Sequence, residues 1–209
     1  DYLHRLRLVR LPLAGPGQAD VLYEHPAPAH SAHCAFCPTD GNLLYFDLDL
    51  PPLSPQVRVV RDRRENRGPL EGLYAGLEAL QDRAEAAYAT SCDVPLLVPE
   101  FVQMMLRRLD DHQVAVPVDG EFHHPLAAVY RTDVLPEIQS LLAADQLRPR
   151  FLFERVRTCR VPVEELRAVD PDLQTLANLN TPADYFAAAR RAGWEVPAEL
   201  REALDTQHS

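Results

Sequence analysis

Apolar residues in this chain fall into two periodicities from about residue 57 onward. Val57-Arg58-Val59-Val60 reads as a buried strand that ends in the charged run Arg61-Asp62-Arg63-Arg64-Glu65. Leu70, Leu73, Tyr74, Leu77 and Leu80 then recur at helical spacing, behind a Gly68-Pro69 start where proline is tolerated. A short run of small and apolar residues, Ala87 to Cys92, ends at Asp93. The next helix has Pro99 and Glu100 in its first turn and Phe101, Val102, Met105, Leu106 and Leu109 along one side. Val114–Val118 and Pro125–Arg131 read as strands, followed by helices over Val134–Ala144 and Pro149–Arg155 and a strand near Arg160–Val163. A helical pair, Pro182–Ala192 and Pro197–Leu204, closes the chain around Gly193-Trp194. Strands alternating with helices at such short spacings predict an α/β fold, with a mainly parallel central sheet and helices on both faces.

The first fifty or so residues have a different character. Eight prolines, from Pro12 to Pro55, would interrupt most helices or central strands, and the one convincing apolar run, Leu43–Phe46, reads as a strand. This divides the chain into an atypical segment over 1–55, a core over 56–195 and a helical tail over 196–209.

Composition narrows the function classes. With 46% hydrophobic and 25% charged residues, the 209-residue chain matches one α/β domain with a true core. No stretch approaches the roughly 18–20 apolar residues that span a bilayer, and no secretory-type leader opens the chain, so the cytoplasm is expected. A formal charge of −10 argues against nucleic-acid binding, yet a small nucleotide pocket can be locally positive. All 21 basic residues are Arg. Four cysteines without a leader do not suggest a disulfide framework, and Cys92 reads as a small core residue.

Ligands of open α/β sheets gather at the carboxyl ends of strands, and three features sit there. Asp62 follows one strand, Asp93 the next, and His123-His124-Pro125 precedes a later one, after the turn Asp119-Gly120. A carboxylate in such a place is a good hard-oxygen ligand for Mg²⁺, although a lone Asp there is more often a cap or turn former. A Gly-Pro helix start leaves backbone N–H groups and a dipole facing a phosphate or purine carbonyl, and is otherwise plain punctuation. The arginines Arg58, Arg61, Arg63, Arg64 and Arg67 could attract polyanions or could form a solvated strand end.

In order along the chain, Asp62, Gly68-Pro69-Leu70-x-Gly72, Cys92-Asp93-x-Pro95, His124-Pro125 and Asn178-Leu179-Asn180-Thr181-Pro182-x-Asp184 resemble the molybdenum cofactor guanylyltransferase family, from about residue 57 to 187. The resemblance implies a Rossmann-like nucleotidyltransferase fold that transfers GMP from GTP to molybdopterin, releasing pyrophosphate, with Mg²⁺ as cofactor. By it, Asp93 matches the metal-binding and catalytic Asp, while Asp62, Gly68, Pro69, Leu70 and Gly72 match the nucleotide site. His124, Asn178 and Asn180 would face the pterin substrate. GTP and molybdopterin are the implied partners, with molybdoenzymes or their chaperones downstream.

The beginning of the chain departs from that family. Its glycine-rich triphosphate loop, ending in Lys, has as nearest counterpart Leu13-Ala14-Gly15-Pro16-Gly17, where Pro16 lacks an N–H. The segment is then either mistranslated or genuinely divergent. The alternatives are a cytidylyltransferase or sugar-phosphate nucleotidyltransferase of similar fold, or a non-catalytic relative that binds cofactor or a partner enzyme. Separately, His30, His33, Cys34 and Cys37 lie close enough to suggest a cramped Zn²⁺ site, with a chance cluster the commoner outcome.

Overall fold

The computed structural model describes residues 4–10, 20–27, 33–36, 43–46, 58–60, 62–64, 67–91, 93–193 and 195–196, with backbone alone described up to residue 59. Cys92, Trp194 and the expected helix Pro197–Leu204 lie outside the described residues.

The central sheet runs in the order β10 (Thr158–Pro162), β7 (Val114–Asp119), β9 (Ala127–Arg131), β6 (Ala86–Ser91), β3 (His33–Phe36), β4 (Leu43–Phe46) and β5 (Arg58–Val60). A short β8 (Phe122–His123) folds back on β7, and β1 (His4–Arg10) pairs with β2 (Asp20–Ala27) in a separate antiparallel sheet.

The expected α/β sheet with helices on both faces is present, and at the level of neighbours its pairing is mixed. β4, β5, β6, β7 and β10 all run the same way, but β3 and β9 run against them and lie between them. Among the described residues, hydrogen-bonded neighbours are therefore parallel at β10–β7 and β4–β5 alone. The reason lies in the connections. β9 follows β7 through the tight turn at Asp119-Gly120 and the β8 return, too short for the crossover that a parallel pair requires.

Alternation along the strands sends successive side chains to opposite faces, and each face has its own helices. Ala87, Ala89, Val114, Val116, Ala128 and Tyr130 pack against α1 (Pro69–Leu80), α3 (Leu135–Ala143) and α4 (Arg150–Phe153). Tyr88, Ala115, Ala127, Val129 and Val161 pack on the other face against α2 (Pro99–Leu109) and α5 (Val163–Leu166). Leu70, Leu77 and Leu80 of α1 are fully buried, as their spacing predicts.

Differences from the sequence reading have local causes. The helix expected over Pro149–Arg155 shrinks to the single turn of α4, anchored by buried Leu152 and Phe153. The strand near Arg160–Val163 ends at Pro162, and Val163 opens α5. In the proline-rich beginning, β2 includes Pro26, opposite Arg5. A two-stranded sheet tolerates it because each strand keeps one unpaired edge. The segment read as a separate N-terminal region supplies β3 and β4 to the central sheet.

Candidate functional site

The strands that run together bring their carboxyl ends to one edge of the sheet, and the expected site residues follow those ends. Asp62 stands just beyond β5, Asp93 just beyond β6, and the hairpin carrying His123 and His124 just beyond β7.

At the start of α1, Gly68 has φ 71° and ψ −171°, a conformation essentially reserved for glycine, and Pro69 occupies the first helical position. The Glu71 N–H bonds to the Gly68 carbonyl at 3.2 Å. Leu70 is fully buried in the core and Gly72 is buried within the helix. The start of α1 therefore offers backbone more than side chains. Glu71, 3% exposed, sits opposite the Arg67 Nε at 3.6 Å. Arg67 also donates to Asp145 Oδ1 at 2.6 Å and to the Leu142 carbonyl, which ties the helix start to α3. Arg63 packs over the Tyr74 ring at 4.8 Å and pairs with Glu78. Both described contacts turn these arginines toward the fold itself; Arg61 lies outside the described residues.

Asp93 stands in a denser setting. Its Oδ2 accepts from Asn178 Nδ2 at 3.0 Å and its Oδ1 from the Ser91 hydroxyl. The Asp93 carbonyl accepts from the Leu179 N–H at 2.9 Å. Two expected site residues, 85 positions apart in sequence, are thus brought into direct contact. A cavity of about 170 Å³ lies alongside, lined by Pro95, Asn178, Leu179, Asp184 and Arg191 among others.

Asn180 is exposed, and its N–H bonds to Asp184 Oδ2 at 3.2 Å. Thr181 caps α6 (Pro182–Arg191): its hydroxyl accepts from the Asp184 N–H at 3.2 Å, and Asp184 accepts from the Thr181 N–H at 2.9 Å. The reciprocal box explains the Thr-Pro-x-Asp spacing as a helix start. The Thr181 hydrogen bonds hold the Asp184 carboxyl below its ordinary pKa.

His124 is fixed differently. Its N–H bonds to the Pro117 carbonyl at 3.0 Å, and its ring meets Phe122 edge-on at 4.9 Å. Burial lowers its pKa, and the His123 ring adds to that while Asp119 opposes it. These contacts hold the hairpin together; none of them reaches Asp93 or Asn178. The cramped His30, His33, Cys34 and Cys37 cluster lies outside what the structure describes: His30 and Cys37 lie outside the described residues, as do the side chains of His33 and Cys34. Among the described residues no group of three or more His, Cys, Asp or Glu could hold a metal ion. Nor, among them, is any helix long and apolar enough to cross a membrane.

Sequence reasoning missed Asp170 and Thr175, both 1% exposed and placed just before Asn178. Their signal was present only as Asp170-Pro171-Asp172, a turn-forming string with no visible partner.

Comparison with known proteins bears on the family and the fold. The model of the MobA-like NTP transferase domain matches residues 22–159, beginning inside the segment that reads as atypical. A probable molybdenum cofactor guanylyltransferase of Methanosarcina acetivorans is 35% identical over 134 residues, which are 62% of this chain and 58% of that protein. The chain thus matches somewhat over half the length of such relatives. A molybdenum cofactor guanylyltransferase of Desulfosudis oleivorans is 34% identical over 74% of this chain and 77% of its own. Among solved structures, molybdopterin-guanine dinucleotide biosynthesis protein A from Archaeoglobus fulgidus superposes with a TM-score of 0.56 at 22% identity, covering 65% of this chain and 68% of that one, which supports the fold. By its matched residues and these relatives, the chain belongs to the MobA-like NTP transferase family.

Proposed function

We propose that this protein transfers GMP from GTP to the terminal phosphate of molybdopterin, releasing pyrophosphate, in the cytoplasm. The observation that carries the reading is the Asp93–Asn178 contact at 3.0 Å, where the residue expected on the metal side meets the residue expected on the pterin side. A transferase needs both substrates at one point, and the relatives named molybdenum cofactor guanylyltransferase support a guanylyl donor and a molybdenum cofactor acceptor.

The chemistry asks little of side-chain nucleophiles. The pterin phosphate is already an anionic nucleophile, so positioning and charge neutralisation suffice. Asp93 fits Mg²⁺, which takes few protein carboxylates and completes its shell with water and phosphate oxygens. When bound there, the ion would neutralise phosphate charge during in-line attack at the α-phosphorus. Asn178 donates to the Asp93 carboxylate, which orients it, and also lines the cavity. The start of α1 would turn the positive end of its helix dipole to the guanine or phosphate side, with Asp62 adjacent in sequence. The second reading, a relative that binds without transferring, is favoured by the lack of any Lys and by Pro16 in the nearest glycine string.

Titration with GTP and Mg²⁺ separates these readings. Micromolar binding that disappears in Asp93→Ala, with competition by GTP over CTP, is the expected result. Absence of binding to the wild-type chain would reject transfer and leave the binding-only relative.

A further inference from the structure

Among the described residues, the polar or charged side chains recorded as buried are Glu71, Asp170 and Thr175. A buried polar group needs a partner, and the partner shows its purpose. Glu71 has Arg67. Asp170 and Thr175 form a different arrangement, directed at a loop. Asp170 Oδ1 accepts from the Gln174 N–H at 2.9 Å and Oδ2 from the Thr175 N–H at 2.9 Å, which fixes the short 3₁₀ turn Gln174–Leu176. The turn starts from Leu173 in a left-handed conformation, φ 50° and ψ 43°, which is uncommon for a residue with a branched side chain. Thr175 Oγ1 in turn accepts from the Val98 N–H at 3.0 Å, across 77 residues.

Val98 is the residue that precedes α2, whose start has no side-chain cap of its own. The segment from Asp93 to Val98 is therefore held at both ends by one loop. Asn178 and Leu179 bond to Asp93 at one end, and Thr175 bonds to Val98 at the other. The carboxylate of Asp170 also lies near β6, the strand that leads to Asp93. Tyr88 on that strand is raised in pKa first by burial and then by the negative charge of Asp170.

We propose that Asp170 and Thr175 are positioning residues that keep the Asn178 amide seated on the Asp93 carboxylate, so that their loss loosens the site without opening the sheet. Their role in catalysis rests on the proposed GMP transfer; their role in positioning does not. Neither touches the cavity beside Asp93, whose lining begins at Ala177 on this loop.

Two readouts of the full chain test this. The first is hydrogen exchange of the Leu179 amide, which bonds to Asp93, with amides of β6 and β9 as internal references. Thr175→Val removes the acceptor at nearly constant volume, and Thr175→Ser keeps it. The Leu179 amide is expected to exchange about tenfold faster in Thr175→Val and to regain protection in Thr175→Ser, with β6 and β9 unchanged. Unchanged protection of Leu179 would overturn the proposal, as would equal loosening of β6 and β9. Asp170→Asn, which turns an amide N–H₂ toward a backbone donor, should reproduce the Thr175→Val pattern if it folds. The second readout is GMP transfer: Thr175→Val should lower kcat about tenfold while leaving KM for GTP unchanged, and Thr175→Ser should restore it. Fast Leu179 exchange with a wild-type kcat would overturn the catalytic part. A wild-type chain that transfers nothing would reject the proposed function, and the exchange experiment would still decide the positioning.

Discussion

The two ends of the candidate site are built on opposite plans. At the start of α1, the chain offers backbone: Gly68 in a glycine-only conformation, Pro69 without a donor, Leu70 buried, and Arg67 turned inward to Glu71 and Asp145. At Asp93, the chain offers side chains, with Ser91 and Asn178 converging on one carboxylate and a buried Asp and Thr behind the loop. The difference teaches where each end is vulnerable. Substitutions at the first should act through folding and helix geometry, whereas substitutions at the second should act on function with the fold intact.

Leu70→Ala probes the first half of that statement with the largest expected effect on stability. Removing a fully buried leucine from the α1 face should cost about 2–5 kcal/mol, read in denaturant melts. If nucleotide affinity fell with no loss of stability, Leu70 would be a contact residue and the contrast would fail. Gly68→Ala should be milder. A Cβ at Gly68 meets nothing within 4 Å, so the cost is backbone strain alone, about 1–3 kcal/mol. A neutral result would show that the φ of 71° is not required.

The hairpin beyond β7 gives the smallest effect and a pH signature. The folded pKa of His124 lies below its ordinary value of 6.5, so protonation favours the unfolded state. Its contribution is complete above about pH 6.5 and is lost as pH falls through the lowered folded value. Melting temperatures measured from pH 7.5 down to 5 should fall less steeply in His124→Asn than in the wild type. Equal slopes would mean that burial of this ring is not what sets the dependence.

Much of the fold was legible because packing repeats at a period. Leu70, Leu73, Tyr74, Leu77 and Leu80 announced α1, and the small-apolar run ending at Asp93 announced β6. Strand direction was less legible: the same alternation serves parallel and antiparallel neighbours, and only the short return at Asp119-Gly120 bore on β9. Before residue 50 the apolar run Leu43–Phe46 was legible and is β4, whereas β1, β2 and β3 were lost among the surrounding prolines, since a two-stranded pairing such as β1–β2 leaves few marks in sequence. Within the site, Asp93, Asn178 and the Thr-Pro-x-Asp string stood out by resemblance. Asp170 and Thr175 did not, because what they hold, such as Val98, lies far away in the chain. Buried polar side chains become informative only when their partners are known.

A double-mutant cycle of Asp93→Ala and Asn178→Ala on the GMP transfer rate tests the central claim most directly. If the two act as one unit, each single variant should lose activity about a hundredfold or more, and the double variant little beyond the worse single one. Losses that simply multiply would contradict the account, since they would mean that the Asp93–Asn178 contact plays no joint part in the reaction.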